Sequence, residues 1–155
     1  MSRPQDQPMA PHDVAHYTRR TPVQVVAAVV SLTFLLVGVL GFVPGVTSEY
    51  NLMTFAGHES GALLFGLFAI SVLHNLVHLA FAVVGLTLAR TATGARAFLL
   101  GGGLTYLMLG GYGLIVRPGS AANFLPVNSA DNWLHFGLAV GMIVLGVVFG
   151  RSTKI

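Results

Sequence analysis

The chain has 155 residues, of which 54% are hydrophobic and 8% charged, with no cysteine and a formal net charge of +3. An ordinary soluble domain carries about 25% charged residues, so this composition cannot cover a globular surface with polar side chains but can cover one that faces lipid. The missing cysteines exclude disulfides, thiolate metal sites and cysteine nucleophiles, and 8 basic against 5 acidic residues read as a topology signal rather than a nucleic-acid footprint.

Residues 1–21 are polar and proline-containing, and are expected to form a mobile cytoplasmic segment. His12 and His16 are four apart, but Pro8 and Pro11 make them solvated side chains rather than ligands. Arg19-Arg20 precedes an apolar run, as in an export signal. The run from Val23 to Val43 is too long for a cleavable core and no small-x-small site follows it, so it is expected to be a retained first span.

From Gly61 to Ala89 the polar residues are Ser71, His74, Asn75, His78 and Thr87. A single helix over this run would measure about 43 Å, too long for an upright crossing of a ~30 Å hydrocarbon core. Two pieces are therefore expected: an extra interfacial helix over Ala62 to Leu73, then the core of the second span over Leu76 to Ala89. The break should fall between Ala69 and His74, at Ser71 or at the His74-Asn75 pair. The third span runs from about Ala97 to Val116 and the fourth from about Trp133 to Gly150, leaving residues 151–155 as a cytoplasmic tail. Glycines at 101–103, 110, 111 and 113 suit close helix approach, and Gly137-x3-Gly141 is a further close-packing candidate.

The spans repeat. His74-Asn75-Leu76-Val77-His78-Leu79 and Asp131-Asn132-Trp133-Leu134-His135-Phe136 share the pattern [H/D]-N-x-[V/L]-H-[L/F], and each opens an apolar run. Leu32-Thr33-Phe34-Leu35-Leu36-Val37-Gly38 runs on to Pro44-Gly45, as Leu104-Thr105-Tyr106-Leu107-Met108-Leu109-Gly110 does to Pro118-Gly119. The fold expected is all-α: a four-helix transmembrane bundle over residues 22–150, made from a duplicated two-span unit, with the extra interfacial helix before the second span. In a four-span topology Arg3, Arg19, Arg20, Arg90, Arg96, Arg151 and Lys154 fall on one side and Arg117 on the other. The positive-inside rule then makes both termini cytoplasmic and the protein a multi-pass component of the plasma (inner) membrane.

This topology collects the polar residues in the outer half. His58, Glu59, Asn75, Asp131 and Asn132 form an expected polar cluster. His74, His78 and His135 are the candidate metal ligands, since ionisable groups inside spans are costly and face the bundle interior. His74 and His78, four apart, share a helix face. His78 and His135 lie at matching depth, an arrangement that suits the axial ligands of haem b. Three histidines with Asp131 would equally suit a divalent metal. The structural alternative is a polar lock, with Asp131 or Ser129 capping the fourth helix and asparagines bonding across helices.

Other chemistries are excluded. A bundle di-iron site needs paired carboxylates in Glu-x-x-His spacing, and a proton-driven small exporter needs an acid deep in a span. Neither is present, and the repeats run in parallel, unlike inverted-repeat transporters. No phosphate loop, Ser-His-Asp set or zincin motif occurs.

Leu64-Phe65-Gly66-Leu67-Phe68, the His74–Leu79 motif with Gly85-Leu86, and the Asn-x-x-Asp-Asn-x-x-His run from Asn128 to His135 resemble an uncharacterised bacterial, largely actinobacterial, family of small four-span membrane proteins catalogued as a domain of unknown function. The resemblance covers nearly everything from the first span to the end of the fourth. It implies a fold and a location, and no activity or catalytic residue. The leading expectation is a non-enzymatic structural or accessory protein whose partners are the lipid bilayer and other membrane proteins or further copies of itself, with no nucleic acid. The alternatives are a haem- or metal-binding membrane protein, and a small-molecule carrier or membrane enzyme.

Overall fold

A computed structural model describes residues 19–151. The expectations for residues 1–18 and 152–155, including His12, His16, Arg3 and Lys154, lie outside the described residues. Four helices dominate: α1 (Pro22–Leu40), α2 (Val72–Leu88), α3 (Ala92–Ile115) and α4 (Ser129–Gly150). Three of them, α1, α3 and α4, are long and apolar enough to cross a membrane. The fourth, α2, has 17 residues, about 26 Å at ~1.5 Å per residue. Each helix carries large apolar residues outward, among them Leu36, Val83, Met108 and Val140, all more than half exposed. In water such faces would be an aggregation surface, and against acyl chains they are at rest.

Local signals set the boundaries. Thr21 precedes Pro22 at the start of α1, where proline's fixed φ and missing N–H are tolerated. The Gln24 side chain accepts from the Thr21 amide at 3.0 Å and donates to the Ala89 and Arg90 carbonyls, tying the start of α1 to the end of α2. The fourth helix is capped by Asn128, not by Asp131 or Ser129: the Asn128 side chain accepts from the Asp131 amide, and Asp131 answers by accepting from the Asn128 amide. That reciprocal pair satisfies two otherwise orphaned donors.

The long apolar run breaks at Ser71, whose extended backbone and hydroxyl cap α2 by accepting from the His74 amide at 3.1 Å. The piece before the break is not the expected interfacial helix. Residues 63–64 (β2) and 68–69 (β3) pair antiparallel, and β2 also pairs with β1 (Thr47–Ser48), giving a small sheet in the order β1-β2-β3. Between β1 and β2 lies one 3-10 turn, Tyr50–Leu52. Phe65 and Gly66 turn the hairpin with positive φ of 55° and 69°, a conformation closed to a helix. The hairpin also answers backbone demands that a helix would not. Ile70 donates to the Ala62 carbonyl, Phe65 to Val46, and the first amides of α2, Val72 and Leu73, to the Thr54 and Phe55 carbonyls.

The principal helix pairings are α1 with α2 and α3 with α4. The core runs through Val23, Ala27, Phe34, Ala82, Phe98, Leu99, Tyr106, Ala139 and Met142, and a second cluster of Ala62, Leu64 and Ile70 sits under the hairpin. Gly103 lets α3 approach α4 until an added Cβ would lie 3.0 Å from the Ala139 carbonyl oxygen. The expected close packing at Gly137 and Gly141 is not found among the described residues: apart from α4's own backbone and the neighbouring residues, nothing lies within 4 Å of where a Cβ would stand. These two glycines face outward, on the side of α4 away from α3.

Candidate functional site

At the end of the bundle that carries the hairpin, five rings drawn from all four helices join in a row of contacts. His74 and His78, one turn apart on α2, stack at 4.8 Å. His78 stacks on Phe34 of α1 at 5.8 Å, and Phe34 stacks on Tyr106 of α3 at 5.4 Å with 8° between planes. Tyr106 then meets His135 of α4 at 5.4 Å. Beside this row lies a cavity of about 270 Å³ between α1 and α4, roofed by Leu64, Phe65, Phe68 and Ile70 of the hairpin. Val30, Thr33, Phe34, Val37, Leu134 and Leu138 supply most of its remaining wall, and His74, His78, Asp131 and His135 are its polar part. Thr33, Phe65 and Leu134 are exposed, so the opening lies on the apolar outer surface.

The polar part is only partly satisfied from within the protein. Asp131 is fixed, since one carboxylate oxygen accepts from the Asn128 amide at 2.9 Å and the Ala69 amide at 3.0 Å. Asn128 adds a second tie to the hairpin by donating to the Leu67 carbonyl. The histidines differ. His74 lies against the Pro126 and Ala69 carbonyls, yet its Nδ1 has no partner, and neither do the Nδ1 atoms of His78 and His135. A buried polar atom without a hydrogen bond forfeits about 1–3 kcal/mol, and three such atoms belong to side chains that line this one cavity.

The cavity thus brings together four of the residues singled out from sequence, and leaves four out. His58 and Glu59 are exposed on the loop before β2 and do not line it. Asn75 and Asn132 face the helix pairs instead. Asn75 lies against Gly41 and Asn132 against Gly113, so closely that a Cβ on either glycine would overlap the amide. Among the described residues no group of three or more His, Asp or Glu side chains is arranged to hold a metal ion. The contacts linking His78 to His135 pass through Phe34 and Tyr106, which gives the haem reading no open slot along that row.

Sequence reasoning missed Phe34, Tyr106 and the aromatic hairpin residues. A signal was present for the first two: Leu32-Thr33-Phe34 and Leu104-Thr105-Tyr106 place an aromatic at the same step of two similar apolar segments. For the hairpin, Phe65-Gly66 was the turn signal.

Fold and site together define a mostly helical protein of membrane-type apolar helices, with one small sheet and a largely apolar lateral cavity that four polar side chains border. Residues 24–148 match the model of a family described as a domain of unknown function, DUF4383, and the chain belongs to that family. Comparison with curated proteins and with solved structures finds no match.

Proposed function

We propose that the protein is a four-span component of the plasma membrane that holds a lipid-soluble molecule in the α1/α4 cavity, acting as a non-enzymatic accessory or carrier protein. The observation that carries this reading is the cavity itself, apolar in its walls, open to the lipid-facing surface and lined by three imidazoles with unpartnered nitrogens. Turnover is not proposed. Asp131, the one carboxylate of the cavity, has an oxygen engaged by two backbone amides.

Four spans and cytoplasmic ends are supported by the position of the arginines. Arg19, Arg20 and Arg90 line one hollow at the end of the bundle opposite the hairpin, which fits the cytoplasmic side. The hairpin and cavity then lie in the outer half. The sequence has no cysteine, so single-cysteine variants test this cleanly. Glu49→Cys should react with a membrane-impermeant maleimide on intact cells and Arg90→Cys only after lysis; the reverse pattern would overturn the topology.

Duplication of a two-helix unit is supported by burial. Val23, Ala27, Ser31, Phe34 and Gly38 are the buried residues of α1, and the positions 72 further on, Ala95, Leu99, Gly103, Tyr106 and Gly110, are all buried in α3. At a spacing of 57, His74, Ala82 and Gly85 of α2 correspond to Asp131, Ala139 and Met142 of α4, again all buried. Contacts follow the same rule, with Gly38 on Leu79 and Gly110 on Phe136, Phe34 on His78 and Tyr106 on His135.

Protein purified without added lipid, extracted with organic solvent and analysed by mass spectrometry, should release one lipid-soluble species in stoichiometric amount. A colourless, metal-free preparation with no such species would overturn the binding reading. A coloured or metal-loaded one would give the cavity to haem b or a divalent metal held by His78 and His135, with His74.

A further inference from the structure

We infer that the molecule held by this cavity has a flat, uncharged ring head bearing oxygen substituents, of quinone or phenol type, on an apolar tail. The inference rests on the proposed binding role of the cavity and adds the class of ligand. Three observations converge on it.

The first is shape. The His74, His78 and Phe34 rings run nearly parallel, 23° and 15° apart, and His78, Phe34 and His74 line the cavity with Phe65 and Phe68. The faces of the three stacked rings are turned to one another, and Phe34 is stacked on Tyr106 as well, so the stack offers a guest its ring edges. Edge-to-face contact with a planar ring gains beyond the area it buries. The volume agrees. A dry cavity of about 150 Å³ takes benzene, and about 270 Å³ leaves room for a substituted ring with the first carbons of a tail.

The second is polarity. Three imidazoles and one carboxylate are the polar part of the cavity wall, and the Nδ1 atoms of His74, His78 and His135 have no partner within the protein. A ring with oxygens offers imidazole nitrogens a hydrogen-bond partner that a plain hydrocarbon does not. The head should be neutral. An anionic head would meet the Asp131 carboxylate, and an ion of either sign would be costly to carry into an otherwise apolar cavity.

The third is asymmetry. Moving the cavity by the repeat spacing sends Val30 to Gly102 and Leu138 back to Phe81, on the seam between α2 and α3. There Phe81 fills the space: its ring sits 3.0 Å from where a Cβ on Gly102 would stand and packs against Phe34, Phe98 and Tyr106. The two places differ on both sides, Phe81 over Gly102 at the seam and Leu138 beside Val30 at the cavity, and since Leu138 lines the open volume a Phe at 138 would project into it.

The test uses the full-length protein in lipid nanodiscs, with a decyl-substituted benzoquinone as probe and decanoic acid and decanol as tail-matched competitors. Wild type should bind the quinone saturably at one per chain. Leu138→Phe, with its melting temperature measured alongside, should weaken binding at least tenfold. His78→Leu and His135→Leu, which keep cavity volume nearly constant, should each weaken it by about five- to tenfold, the worth of one hydrogen bond. Neither competitor should displace the quinone at comparable concentration. If wild type and Leu138→Phe take up the quinone alike, the cavity is not the site and the binding role falls with the inference. If decanoic acid or decanol binds as tightly and is lost in Leu138→Phe, the cavity stands as a site and the ring head is overturned. Unchanged quinone affinity in both histidine variants would also overturn it.

Discussion

On the α2–α3 side of the bundle, Phe81 lies over Gly102 and the seam is filled; on the α1–α4 side, Leu138 and Val30 occupy the corresponding places and a cavity remains. The two asparagines differ as well. Asn132 donates to the Gly113 carbonyl at 2.9 Å. The matching carbonyl, that of Gly41, accepts from the Thr47 hydroxyl at 3.1 Å, and the Asn75 amide has no partner. Where the first half places His74, the second places Asp131, whose carboxylate reaches across to the hairpin. The two helix pairs share their packing positions and the residues at Asn75/Asn132 and His78/His135, and differ at His74 against Asp131 and in how the asparagines are partnered. Packing is what a bundle needs twice, and a single site needs its particular chemistry once.

The largest effect should come from Asp131→Ala. It removes an acceptor that serves the Asn128 and Ala69 amides together, so both α4 and the hairpin lose a tie. Hydrogen bonds to a charged group are worth about 1.5–3 kcal/mol each. A loss of roughly 3 kcal/mol is expected in reversible unfolding in mixed micelles, with hairpin amides exchanging faster. A loss below 1 kcal/mol would show that the hairpin docks without Asp131.

Next come Gly41→Ala and Gly113→Ala. Each added methyl would overlap the amide of the paired asparagine, and overpacking of this kind costs about 1–3 kcal/mol. The comparison predicts similar penalties at both sites. A penalty at one site alone would mean that the two glycine–asparagine contacts are not equivalent.

Much of this was legible from sequence, and the failures have physical causes. The helices could be placed because a membrane span needs about twenty apolar residues, and the break at Ser71 because one helix would have been too long. The motif around His78 and His135 pointed to the cavity's polar wall. What length and hydropathy could not distinguish was helix from hairpin over residues 62–70, because a short apolar run suits both. What marks the hairpin is the Phe65-Gly66 turn, with Phe65 donating to the Val46 carbonyl and Ile70 to the Ala62 carbonyl. Asn75 and Asn132 were grouped with the histidines because they are adjacent in sequence. On a helix, neighbours in sequence point about 100° apart, so Asn75 faces Gly41 while His74 faces the cavity.

A smaller effect is expected from Phe81→Leu, which writes the α1–α4 chemistry onto the α2–α3 seam. The substitution should cost about 1–2 kcal/mol, within the range for shape changes and small cavities in a core. It should also create a second site, raising quinone stoichiometry from one toward two per chain. Unchanged stoichiometry with the expected destabilisation would mean that the vacated space is not a second site.

The smallest effects test the asparagines, and here the halves should respond with opposite sign. Leucine has the branching of asparagine without its polar atoms. Asn132→Leu deletes the bond to the Gly113 carbonyl, and polar side-chain bonds between membrane helices average about 0.6 kcal/mol, so a loss of that order is expected. Asn75 has neither amide atom partnered and is 1% exposed. Replacing a buried, unsatisfied group by an apolar one of the same shape is neutral or stabilising, so Asn75→Leu should leave stability unchanged or raise it by up to about 1 kcal/mol. Unfolding of the two variants side by side decides the matter. Equal losses would show that Asn75 is bonded in the membrane after all, and the difference between the halves would then lie in the cavity alone.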